Sequence, residues 1–73
     1  MRTVEKPLDA LGIRKGKEVL IRLKNGIEVR GKLQAFDIHL NVVLDDAEFI
    51  KDGELDRKFS QIFLRGDMII FVS

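Results

Sequence analysis

Polar and apolar residues alternate with a period of two on either side of Asn25-Gly26. Upstream, in KEVLIRL (17–23), Val19, Ile21 and Leu23 share one parity. Downstream, in EVRGKLQAF (28–36), Val29, Leu33 and Ala35 oppose Glu28, Arg30, Lys32 and Gln34. Residues two apart on an extended chain point to the same side, so each run is a strand with a core face and a wet face. Asn-Gly between two such runs predicts a tight hairpin, here a type I′ turn with positive φ at both central positions. That pattern commits the chain to antiparallel sheet. Gly31 falls on the apolar parity, where a strand glycine marks a bulge, a bend or a close backbone approach.

The remaining segments extend this frame. Pro7, then LDAL, then Gly12 predicts a short helix over 7–12, with Leu8 and Leu11 three apart on one face. VVLDDAEFI forms a third strand whose alternation fails midway, as it does where a strand bends. KDGELDR is a polar connection, and FSQIFLRGDMIIFVS divides at Arg65-Gly66-Asp67 into two short strands. The expected fold is mainly β. A short N-terminal helix precedes a strongly bent five-stranded antiparallel sheet that closes into a small open barrel of SH3-like type. Between the second and third strands stands FDIHLN (36–41), where an extended chain would set Asp37, His39 and Asn41 on one polar face.

Size and composition sharpen this reading. The 73 residues make one domain, 1–73, with no cysteine and a single histidine. Neither a disulfide nor a thiolate or multi-histidine metal site within one chain is available to brace it. A core of this size rarely supplies more than about 3–5 kcal/mol by itself, so self-association is expected. The last two strands agree. Ile62 to Leu64 and Met68 to Val72 are continuous apolar runs, the mark of strands covered on both faces. A chain this short lacks the material to cover them, which points to strand pairing across a subunit boundary.

Other classes fall away. A net charge of +1 is no footprint for a protein that wraps DNA. The N-terminal MRTVEKPLDA has no apolar signal stretch, and Met68 to Val72 is too short to span a bilayer, so the cytoplasm is the expected location, with no membrane partner. With no cysteine or tyrosine, and only Ser60 and Ser73 as serines, no activated nucleophile is legible. No catalytic residue, cofactor or metal is assigned. The acidic residues from Asp45 to Asp56 match no calcium loop and read as a solvated face.

The residues resemble a known family. LKNGIEVRGKLQAFDIHLNVVLDDAE (23–48), with its Lys-Asn-Gly turn, Gly31, Asp37 and Asn41, is similar to the first Sm motif. LRGDMIIFV (64–72), with Arg-Gly after an apolar residue, is similar to the second. The two motif regions occupy 17–50 and 58–73, and the histidine between Asp37 and Asn41 looks most like the archaeal Sm-like proteins. Leu40 departs from the family's usual methionine, and Met68 from its usual small polar residue. The resemblance implies an Sm fold and a homo-oligomeric ring, usually a heptamer, in which strand four of one subunit pairs with strand five of the next. It implies uridine-rich single-stranded RNA as the partner, bound at the inner pore, and a role in RNA processing. A competing reading is a ring that docks RNA-processing proteins without reading bases.

The chemistry suits that implication. Single-stranded RNA is read by stacking bases on flat side chains and by hydrogen bonds to their Watson–Crick edges. His39 offers one plane and Arg65 the other. The Asn41 amide presents a donor and an acceptor side by side, matching O4 and N3–H of uracil, while cytosine reverses the pair. Asp37, accepting one amide hydrogen, would orient Asn41 for uracil. By the resemblance, the backbone N–H of Asp67 reaches O2, helped by a conformationally permissive turn at Gly66.

Overall fold

The computed structural model describes residues 7–73. Helix α1 (Pro7–Gly12) is followed by β1 (Glu18–Leu23), β2 (Glu28–Phe36), β3 (Val42–Lys51), β4 (Glu54–Leu64), a single 3₁₀ turn (Gly66–Met68) and β5 (Ile69–Val72). The strands form one antiparallel sheet in the order β4-β3-β2-β1-β5. The mainly β, strongly bent sheet is therefore the expected one. Within one protomer β4 and β5 lie at its two ends.

Alternation builds the core. Val19, Ile21 and Leu23 from β1, Val29 and Leu33 from β2, Val42, Leu44 and Ala47 from β3, and Leu64 from β4 are buried together. Leu11 joins them from α1, with Leu8 packed partly buried beside it, as their spacing requires. Each of the fully buried Ile, Leu and Val side chains contributes about 1.5–3 kcal/mol of transfer free energy. The Arg14 guanidinium donates to the Ala10 carbonyl at 2.8 Å, satisfying a backbone acceptor at the helix end.

The bend sits at Gly31. Its neighbours Arg30 and Lys32 pair with Glu48 and Asp45, so Gly31 alone faces both Asp46 and Ala47, a β-bulge. A Cβ there would lie 3.1 Å from the Asp45 carbonyl oxygen and 3.2 Å from Leu44 Cβ. The sheet folds tightly over a residue with no side chain, and β3 loses its alternation at the same place.

Two turns differ from expectation. The β1–β2 connection is a three-residue loop. Gly26 N donates to the Leu23 carbonyl at 3.0 Å and Leu23 N to the Ile27 carbonyl at 2.9 Å. Only Gly26 has positive φ, +85°, which is a type I turn closed by a left-handed residue rather than a type I′ turn. The type I′ signature belongs to Asp52-Gly53, where φ is 53° and 78° and Lys51 pairs directly with Glu54. KDGELDR is thus no loop: two of its residues turn, and the rest lengthen β3 and β4. β4 is accordingly one long strand of 11 residues, not a short one. Residues 54–57 hid their strand character because, at a sheet edge, their side chains are all exposed and no polar–apolar alternation is imposed.

Those edges are apolar. Phe63 on β4 is 78% exposed, and Ile70 and Phe71 on β5 are 59% and 44% exposed. The continuous runs predicted to need cover on both faces do not receive it within one protomer.

Candidate RNA-binding loop

Residues 37–41 form a closed loop rather than extended chain. Leu40 N donates to the Asp37 carbonyl at 3.0 Å and Asp37 N to the Asn41 carbonyl at 3.1 Å. Asp37, His39 and Asn41 consequently do not share a strand face. Asp37 and Asn41 instead face each other across the loop mouth, with His39 exposed at its tip.

The Asp37 carboxylate ties the loop together. One oxygen accepts from the backbone N–H of His39 at 2.8 Å and of Asn41 at 3.1 Å. The other accepts from the Asn41 side-chain amide at 3.1 Å. The amide bond from Asn41 is the largest influence; loss of hydration opposes it, and the two backbone N–H bonds add to it, so that the Asp37 carboxyl is held below the ordinary value of 3.8.

The side-chain amide oxygen of Asn41, in turn, accepts from the backbone N–H of Gly66 at 2.8 Å. This bond joins the β2–β3 loop to the 3₁₀ turn and was not legible in the sequence, since any residue but proline offers that donor. The glycine itself was the available signal. Gly66 does not have positive φ, so it is not there for a permissive backbone. A Cβ at this position would overlap the His39 carbonyl oxygen and lie 3.0 Å from the carbonyl carbon of Leu40. Only glycine lets the turn come close enough to reach Asn41.

Arg65 and Asp67 flank this contact. Their side chains pair at 3.0 Å, with Arg65 82% exposed, a pair too open to add much stability. The guanidinium stands on the segment that Gly66 packs against the His39–Asn41 backbone. Leu40 was not singled out for backbone geometry, yet its φ is +62°, which bulky residues rarely adopt. Among the described residues no group of three or more His, Cys, Asp or Glu comes together to hold a metal, and no helix is long and apolar enough to cross a membrane.

A short helix on a sharply bent five-stranded sheet, with both ends of the sheet unpaired and a polar loop locked to the turn before β5, defines a small SH3-like β-barrel class. The LSM domain family model matches residues 10–73, and the chain belongs to that family. An snRNP Sm-like protein of Thermococcus kodakarensis is 52% identical over 69 residues, covering 94% of this chain and 91% of its own. The Sm protein of Pyrococcus abyssi, solved in complex with a uridine heptamer, matches with a TM-score of 0.91 at 49% identity, over 94% of this chain and 97% of that one. A heptameric archaeal Sm protein matches at 0.84 and 40% identity, over 89% and 94%.

Proposed function

We propose that this chain closes into a homo-oligomeric ring of seven protomers, as its heptameric relative does, and binds uridine-rich single-stranded RNA at the pore, serving RNA processing. β4 of one protomer pairs with β5 of the next, which covers both apolar edges. The uridine heptamer held by the Pyrococcus abyssi protein supports the choice of ligand.

The observation that carries the specificity is the clamped Asn41 amide. One amide hydrogen is held by Asp37 and one oxygen lone pair by Gly66 N–H. One hydrogen and one lone pair remain, adjacent, for O4 and N3–H of uracil. Cytosine needs the flipped amide. A flip would set NH₂ against the Gly66 N–H and the amide oxygen against the Asp37 carboxylate, two repulsions in place of two bonds. Asp37 is therefore the orienting residue and Asn41 the reading residue. His39 and Arg65 sandwich the base, a stack worth about 1–3 kcal/mol, and the Asp67 N–H in the turn at Gly66 donates to O2.

One such pocket is weak, because association costs at least several kcal/mol. Repetition around a ring makes each later nucleotide bind at an effective concentration on the order of millimolar. This reconciles RNA binding with a net charge of +1. Native mass spectrometry with oligo-U, oligo-C and oligo-A of equal length tests both parts. The expected result is a seven-protomer mass that takes up one oligo-U strand, with affinity rising steeply with strand length. A ring that binds all three oligomers alike, or none, overturns base reading and leaves a scaffold; a lone protomer overturns the assembly.

A further inference from the structure

Leu40 occupies a conformation its side chain disfavours and stays 39% exposed in the protomer. Its backbone carbonyl lies against Gly66, whose N–H fixes the Asn41 amide. Leu40 lines an apolar cleft of about 280 Å³ together with Leu11 of α1 and Ile70 and Phe71 of β5. The cleft runs beside the free edge of β5.

Building on the uridine reading above, we infer that Leu40 is a positioning residue for the base-reading loop. At the wall of the α1–β5 cleft, its side chain holds the loop at the height where Asn41 meets Gly66, and β4 of the neighbouring protomer, laid along β5, covers it. A second copy of this chain is the occupant because the cleft borders one apolar sheet edge and the chain carries the complementary one on β4. A left-handed position unsupported by a side chain would serve equally well with glycine, as it does at Gly26. With leucine, burial offsets the backbone cost, and that burial is completed only by the neighbour. Assembly and base reading thereby share one residue.

The test replaces Leu40 with glycine, which keeps the left-handed geometry and removes the side chain, and with methionine, which restores an apolar side chain of similar volume. Ring mass, oligo-U affinity, the oligo-U to oligo-C ratio and hydrogen exchange at the Gly66 amide are measured on each. The expected result for Leu40→Gly is a ring that binds oligo-U about tenfold more weakly, with a ratio moved toward parity and faster exchange at Gly66, and recovery in Leu40→Met. Should the glycine variant fail to fold, Leu40→Asn, also tolerant of positive φ, is expected to show the same losses. Unchanged affinity and ratio in Leu40→Gly or Leu40→Asn rings overturns the inference while leaving the uridine reading intact. Failure of the unaltered protein to prefer oligo-U overturns that reading and this one with it.

Discussion

The loops 23–27 and 37–41 close with the same pair of backbone hydrogen bonds, from the fourth residue to the first carbonyl and from the first residue to the fifth carbonyl. In each, the fourth residue has positive φ: Gly26 at +85° and Leu40 at +62°. The rest differs. The first loop uses residues intrinsically suited to it, with glycine in the left-handed place and the Asn25 side chain accepting from Ile27 N at 3.1 Å. The second has leucine in that place and is held from outside its backbone, by three bonds to Asp37 and by the docking of Gly66. A loop that only reverses the chain takes the residues of lowest cost. One that presents a fixed amide spends local strain on position, and tertiary contacts keep it there.

The sharpest way to break this contrast is Gly66→Ala. A methyl group there must displace the His39 carbonyl, with no flexible side chain nearby to yield. The expected cost is about 3 kcal/mol, read by urea unfolding at fixed protomer concentration, with loss of oligo-U binding in whatever ring remains. Stability within experimental error of the unaltered protein would show that the two segments are not locked together.

Asp37→Ala comes next. It deletes the acceptor of three bonds, frees the Asn41 amide to turn, and should bring oligo-U and oligo-C affinities close to parity; an unchanged preference removes Asp37 from the specificity mechanism. The carboxyl also gives the loop a pH signature. Its native pKa is depressed below 3.8, chiefly by the Asn41 amide bond, so the stabilisation is fully present above the unfolded value and is lost as pH falls through the lower native one. The advantage of the unaltered protein over Asp37→Asn in hydrogen-exchange protection of this loop should hold down to mild acid and shrink below it. The 23–27 loop contains no carboxylate and should show no such difference between the two proteins.

The contrast also marks what could be read in advance. The β1–β2 hairpin and the strand faces were legible because half-buried strands must alternate, and the pattern survives in Val19 to Leu33. The turn type was not: Asn-Gly fits both a two-residue and a three-residue loop, and strand register decides between them. Asp37 and Asn41 were singled out as a polar pair, and they do bond, but through loop closure rather than strand parity. Gly66 carried a signal whose cause was steric, invisible until the His39 carbonyl is placed above it. Leu40 looked like any apolar residue, since nothing in its identity announces positive φ.

The smallest effects come from exchanging the left-handed residues. A Cβ placed at Gly26 meets no neighbour within 4 Å, so the expected cost of Gly26→Leu is chiefly conformational, about 1 kcal/mol after allowing for the less flexible unfolded chain, with oligo-U binding untouched. Leu40→Gly is the mirror change. It relieves about 1–2 kcal/mol of left-handed strain but adds unfolded-chain entropy of roughly 0.5–1 kcal/mol and forfeits about 1 kcal/mol of partial burial. These terms cancel to within about 1 kcal/mol, so the unfolding midpoint should scarcely move while base preference does. If Leu40→Gly instead destabilises the protein by more than Gly26→Leu, leucine at that position is a packing residue first, and the division between a loop built from turn-forming residues and one held by side-chain contacts loses its force.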